Sequence, residues 1–360
     1  MTILFTASEV GSVRALIPVI RECYKRDIPF KIIKDGFFHN YDEKYLNDNF
    51  IEDVNDHNLN NKLFKNHNVN TVVFSVNLFE TLPLLIARSA SELGIHTIHI
   101  LDYWHMYKGR MELDGKETFI PTKYLVPDQY AARLAMNKGF NAAIVEALGH
   151  PAYCDLLNNF NVLKTNPKDR TIDCLNTIDN RNLLLFISEP VSSDQHKSRG
   201  YTEEDVIKTF IEIFRKIISD QEFYVCVMPH PREDRENLKN IWSINGGDIL
   251  GHVETKTTSD DLLPFANGVI GMSSTFLYQS WLMNIPVLSI RPNDKSTIGD
   301  HLTHRMGLTI IDNYVDAFAI SKSWLSNLNL DKQNTARKEL YDHIDSDKRI
   351  VNLIQSYNKN

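Results

Sequence analysis

The sequence is short of cysteine, of positive charge and of long apolar runs, and each shortage removes a class of protein. Its four cysteines, Cys23, Cys154, Cys174 and Cys226, form no Cys-x-x-Cys pair or other zinc-like spacing. That disfavours a disulfide-stapled secreted scaffold and fits a reducing cytoplasm better. Basic side chains number 39 against 46 acidic ones, for a net charge of −7. A nucleic-acid partner calls for a basic face and is not expected. A small anionic ligand needs only a local cluster of donors and stays open. No stretch approaches 18 uninterrupted apolar residues, so no membrane span is expected, although peripheral membrane attachment remains open. The opening MTILFTASEVGS lacks the charged and long apolar regions of a signal peptide. The motifs GxGxxG and GxxxxGK(S/T) are missing, which disfavours dinucleotide and P-loop chemistry. HExxH, GxSxG and paired metal-ligand clusters are missing too, so neither a metal nor a cofactor is expected.

What is present is an ordinary globular composition, 42% hydrophobic and 24% charged over 360 residues, enough for two domains. Short apolar runs alternate with helical patterns. In the first half the predicted strands are Ile3–Thr6, Phe30–Ile33, Thr71–Val76, His96–Leu101, Tyr124–Val126 and Ala143–Ala147, with helices over Val13–Lys25, Phe79–Leu93 and Gln129–Lys138. Between Asp155 and Asn182 the pattern fades into an Asn- and Asp-rich stretch that reads as a linker. The alternation then restarts. Strands are expected at Leu183–Ile187, Tyr224–Met228, Gly268–Met272, Pro286–Ile290 and Leu308–Ile311, and helices at Glu203–Ser219 and Leu340–Tyr357. The expected architecture is α/β: two doubly wound, Rossmann-like domains over 1–165 and 180–335, with an interdomain cleft. A C-terminal helix, 336–360, would pack back on the first domain. Ligands in such sheets sit at the carboxyl ends of strands, so the loops that follow strands carry the candidates.

Five loops stand out. Ser273-Ser274-Thr275 closes a strand and opens a helix, where hydroxyls and backbone N–H groups form an anion site; a plain helix cap is the simpler alternative. In Met228-Pro229-His230-Pro231-Arg232-Glu233 two prolines pin an imidazole at a strand end, placing His230 and Pro231 at a ligand phosphate, ribose or base. Ser188-Glu189 follows the first strand of the second half and would border the same ligand. Asp102 follows the strand His96–Leu101 as a candidate general base, with Glu112 and Asp114-Gly115 close behind. Gly11 and Ser12 follow the first strand as candidate donor-binding residues, Gly11 admitting a close ligand and Ser12 being equally a good helix cap.

His230-Pro231 and Ser273-Ser274 resemble the HP and Ser-Ser/Thr motifs of bacterial sialyl- and polysialyltransferases, glycosyltransferases of the GT-B type. A similar pairing occurs in CDP-glycerol polymerases and CMP-Kdo transferases. The resemblance implies that Ser273, Ser274 and His230 hold the cytidine monophosphate of a CMP-sugar donor. It implies transfer of a nonulosonic acid to a bacterial surface glycan without a metal, in the cytoplasm or at the inner membrane. In those enzymes an acidic-acidic-Gly motif supplies the base; here Glu112-Leu113-Asp114-Gly115 is interrupted by Leu113, so Asp102 and Asp114 compete for that role. The stretch DDLLPFANGVIGMSSTFLYQSWLMNIPVLSI also has the general form seen in UDP-sugar enzymes, with Gln279 and Ser280 where a ribose-binding Glu often stands. A UDP-sugar hydrolase or 2-epimerase is therefore the alternative enzyme. A non-catalytic nucleotide-sugar-binding module in polysaccharide assembly is the alternative of another class.

Overall fold

The structure, a computed structural model, describes residues 2–54, 61–77, 81–113, 117–165, 175, 178, 181–218, 222–328 and 335–357, with backbone alone for 194–197. The chain divides into two compact units, Met1–Leu156 with Glu339–Asn360, and Leu157–Lys338.

The first unit is built on seven parallel strands: β1 (Thr2–Thr6), β2 (Phe30–Ile33), β3 (Phe50–Ile51), β4 (Val69–Phe74), β5 (His96–Ile100), β6 (Lys123–Val126) and β7 (Val145–Ala147). They lie in the order β3-β2-β1-β4-β5-β6-β7. The order reverses at β1 and β4, the pair whose loops open a crevice in sheets of this kind. Helices α1 (Val10–Lys25), α2 (Leu82–Glu92) and α3 (Gln129–Asn137) form from the apolar periodicity of their sequences. Asp128 caps α3 by accepting the N–H of Ala131 at 2.8 Å and also receives the Trp104 indole N–H at 2.9 Å. Val13, Leu16, Val19 and Ile20 of α1 are buried in one core with Ile3, Phe5, Ile32, Val73 and Ile98 of the sheet.

The second unit has six parallel strands: β8 (Asn182–Ile187), β9 (Phe223–Met228), β10 (Gly251–Val253), β11 (Ala266–Gly271), β12 (Val287–Ile290) and β13 (Thr309–Ile311). Their order is β10-β9-β8-β11-β12-β13, so the reversal falls between β8 and β11. Around them lie α4 (Leu156–Thr165), α5 (Glu203–Ile217), α6 (Arg235–Asn245), α7 (Thr275–Leu282) and α8 (Ala317–Ser326). A capping box joins Thr202 and Asp205 at the start of α5. The last helix, α9 (Ser346–Tyr357), belongs to the first unit, where Ile350, Val351 and Ile354 enter the core beside α1. Among the described residues no helix is long and apolar enough to cross a membrane.

The expected doubly wound α/β architecture is present in both units. The differences are local. Helix α1 begins three residues early, so Ser12 lies inside it and does not cap it. The expected C-terminal helix is broken: a tight turn over Lys338–Asp342 precedes α9, and Asp345 takes a left-handed φ of 58° that ends one element before the next begins. Part of the expected linker is helix α4, and 166–174 lies outside the described residues.

Candidate functional site

In the second unit, three loops meet at the carboxyl ends of adjacent strands. After β8 comes Ser188-Glu189; after β9, His230-Pro231; after β11, Ser273-Ser274. Parallel pairing in register brings these ends level: Ile187 is opposite both Met228 and Gly271.

Glu189 joins β8 to β11. Its Oε1 accepts the backbone N–H groups of Ser273 at 2.5 Å and Ser274 at 2.7 Å, and its Oε2 accepts the Ser273 hydroxyl at 2.7 Å. Ser274 caps α7 by accepting the N–H of Phe276 at 3.1 Å, and Thr275 is the first helical residue. These groups at the start of α7 therefore converge on an anion, the chain's own carboxylate. A helix N-terminus favours negative charge for this reason. The buried Arg199 lies behind it, donating to the Ser273 hydroxyl from both terminal nitrogens at 3.2 Å and to Asp294 at 3.2 Å. Ser273 Oγ thus accepts from Arg199 and donates to Glu189, which fixes its proton.

Glu233 joins β8 to the His230 loop. Its Oε1 accepts the Ser188 hydroxyl at 2.6 Å and its Oε2 accepts the backbone N–H of His230 at 2.6 Å. Burial pushes the Glu233 carboxyl up to about 7, against the lowering effect of these two hydrogen bonds and with help from the charges of Glu203 and Glu189. The His230 ring is half-buried, and its Nδ1 accepts the N–H of Arg232 at 3.2 Å. In the neutral ring the proton then sits on Nε2, making that nitrogen a donor. Pro231 is exposed at the tip.

In the first unit, Gly11, Ser12 and Asp102 meet. The buried Asp102 carboxylate accepts Arg110 Nη1 at 2.6 Å on Oδ1 and the Ser12 hydroxyl at 3.0 Å on Oδ2. A Cβ on Gly11 would stand 2.9 Å from Asp102 Oδ2. Glycine at this position makes room for the carboxylate. Arg110 also donates to the carbonyls of Val76 at 2.8 Å and His105 at 2.9 Å. The His150 ring, at a second His-Pro, hydrogen-bonds the Asp102 carbonyl through Nε2 at 2.9 Å. Glu112 is exposed and engaged by Thr118 and Lys108; Asp114 and Gly115 lie outside the described residues.

The sequence placed Ser188, Glu189, His230, Ser273 and Ser274 in one unit, where they meet, but missed Glu233 and Arg199. Glu233 sits in the quoted loop, three residues after His230. Its only sequence signal was a carboxylate beside a candidate imidazole, which looks like solvated surface until burial is known. Arg199 lies 74 residues from Ser273, and nothing local marks it.

No protein-family model and no curated protein matches the chain. Solved structures do. The UDP-GlcNAc 2-epimerase of Neisseria meningitidis, bound to UDP-GlcNAc, aligns with a TM-score of 0.70 at 11% identity, over 99% of this chain and 100% of that one. The Methanocaldococcus jannaschii UDP-GlcNAc 2-epimerase, in complex with UDP-GlcNAc and UDP, gives 0.68 at 16% identity over 99% and 100%. A glycosyltransferase from Rickettsia africae gives 0.65 at 13% identity over 100% and 99%. The shared fold is the GT-B-like one, with two Rossmann-like domains.

Proposed function

We propose that the protein is an enzyme that breaks the bond between a sugar's anomeric carbon and a nucleotide phosphate, with UDP-linked sugars as its substrate and hydrolysis or 2-epimerisation as its outcome. The observation that carries this reading is the anion seat at the β8/β11 reversal, where two backbone N–H groups and a hydroxyl already converge on one carboxylate. Structural neighbours named as UDP-GlcNAc 2-epimerases support the same substrate class.

Breaking the anomeric C–O bond leaves negative charge on the departing phosphate. Donors held in place before the reaction stabilise that charge more than the ground state, which is what lowers the barrier. Ser273, Ser274 and Thr275 supply such donors at the start of α7, and His230 Nε2 supplies another. Glu189 withdraws from the amides as the phosphate takes its place. Asp102 is assigned to proton transfer on the sugar side. Its contacts with Arg110 and Ser12 hold the carboxylate in one orientation, and Asp114 is the second candidate.

A second reading, transfer of a nonulosonic acid from a CMP donor to a surface glycan, is favoured by one specific arrangement. His230-Pro231 and Ser273-Ser274 flank the same strand end, and α7 presents no carboxylate for a ribose: Gln279 donates to Asp260 at 2.6 Å and Ser280 to the Phe276 carbonyl at 2.7 Å. Peripheral attachment to the inner membrane and a glycan partner belong to that reading.

Incubation with UDP-GlcNAc, and separately with a CMP-linked nonulosonic acid, followed by phosphorus and proton NMR, tests both. The proposal expects, without any acceptor, either release of UDP or conversion of UDP-GlcNAc into its C2 epimer. His230→Ala should lower the rate on the order of a hundredfold while leaving the melting temperature in place. Turnover of the CMP donor alone would transfer the assignment to the second reading. A fully active His230→Ala would remove His230 from the machinery.

A further inference from the structure

Glu233 bridges two of the three loops at the strand ends. Its oxygens take the Ser188 hydroxyl proton from the β8 side and the His230 backbone N–H from the β9 side. Facing it are Glu189 after β8 and Glu203 at the start of α5, with His230 and Arg232 in its own loop. Glu203 is itself held by Ser192, whose N–H and hydroxyl both donate to it at 2.8 Å. Three carboxylates therefore share one rim, and an incoming anion adds to their repulsion.

As a carboxylate, Glu233 is an acceptor only, and the Ser188 hydroxyl must spend its proton on it. As a carboxylic acid, Glu233 still accepts the His230 N–H on its carbonyl oxygen. Its own O–H then donates to Ser188 Oγ. That reversal frees the Ser188 hydrogen to donate elsewhere, including to an oxygen of a ligand. Protonation removes a negative charge from the rim in the same step. Both consequences favour anion binding, so by linkage anion binding favours the protonated form.

We propose, building on the nucleotide reading above, that Glu233 is a proton-linked positioning residue, taking up a proton when a phosphate binds at the strand ends of the second unit while it keeps the His230 loop fastened to β8. Burial pushes this carboxyl up to about 7, which makes the uptake accessible near neutral pH.

Isothermal titration of the intact protein with UDP, and separately with inorganic phosphate, tests this at pH 7.5 in two buffers of different ionisation heat. The difference in heat between buffers counts protons. Wild type should take up a fraction of a proton more than Glu233→Gln, whose amide accepts from His230 and donates to Ser188 as the protonated acid does. Affinity for UDP should fall in wild type from pH 6.5 to 8.5 by roughly tenfold more than in Glu233→Gln. A His230→Gln variant should retain the extra uptake, which separates Glu233 from the imidazole. Equal uptake and equal pH dependence in wild type and Glu233→Gln would overturn the proposal and leave the nucleotide reading standing. Glu233-linked uptake with inorganic phosphate, and UDP bound no better than phosphate, would uphold the proposal and remove the nucleotide reading. Binding of neither ligand would remove both.

Discussion

Removing the Arg110 guanidinium should destabilise the first unit severely. Arg110 and Asp102 are 6% and 7% exposed, and they meet at 2.6 Å. The same guanidinium satisfies the carbonyls of Val76 and His105. In Arg110→Met the aliphatic stem is replaced but a buried carboxylate loses its counter-charge. Breaking a buried pair in this way costs about 3–5 kcal/mol. The orphaned carbonyls add a penalty of about 1–3 kcal/mol each, which overlaps with the first. A loss of at least about 3 kcal/mol is expected, a large share of the roughly 5–15 kcal/mol that holds a domain together. Two units need not unfold in one transition, so a local probe is required. Hydrogen exchange resolved by peptide supplies it: protection in β1, β4 and β5 should fall on the order of a hundredfold, since about 1.4 kcal/mol is a factor of ten. Peptides of the second unit should be unchanged. Adding Asp102→Asn to Arg110→Met removes the stranded charge and should recover about 2 kcal/mol or more. A loss below about 1 kcal/mol, or no recovery in the double variant, would refute the view of Asp102 as a buried charge dependent on Arg110.

Other expectations follow from the second unit. In Glu189→Ala the α7 amides lose their internal carboxylate; charge-assisted bonds of about 1.5–3 kcal/mol no longer compete, so UDP affinity measured by calorimetry should tighten roughly tenfold or more. Gly268 faces the Trp324 ring, and a Cβ there would lie 2.7 Å from its Cη2. Gly268→Ala should therefore cost about 1–3 kcal/mol in urea unfolding. The raised Glu233 carboxyl fixes a sign for stability against pH. Folded Glu233 holds its proton up to about 7, whereas the unfolded side chain releases it near 4.5. Its contribution is fully present below about 4.5 and is lost as pH rises through about 7. The loss is of the order of 2–3 kcal/mol. Urea midpoints at pH 4.5 and 8 should reveal a drop that Glu233→Gln does not share.

The fold was legible because its strands are buried on both faces and appear as uninterrupted apolar runs, TILFT, TVVF and NLLLFI among them. Strands β3 and β10 have two and three residues, too few for any pattern to register. Helix α6 was not expected, although Leu238, Ile241 and Trp242 form an apolar stripe behind the cap supplied by Asp234. At the site, position after a strand was enough to gather Ser188, Glu189, His230, Ser273 and Ser274. What those groups do to one another was not legible. Ser12 looked like a cap because hydroxyls favour helix starts, yet its hydroxyl reaches Asp102, 90 residues away. Glu189 was expected to border a ligand, and nothing local showed that its carboxylate accepts the Ser273 and Ser274 N–H groups. Both depend on contacts between distant loops, which no local pattern encodes.

Under the proposed function, the start of α7 accepts the phosphate of a uridine nucleotide. Thermal unfolding of the intact protein with UDP, CMP, GDP and ADP at equal concentration tests it most directly, with Ser273→Ala/Ser274→Ala alongside. A nucleotide at about 100 times its dissociation constant stabilises by about 2.7 kcal/mol, a shift readily seen. UDP should raise the melting temperature of the wild type more than the other three, and should raise that of the double variant, which keeps the backbone N–H groups but loses the hydroxyls, by less. A protein indifferent to all four nucleotides, or an undiminished UDP shift in the double variant, would contradict the claim.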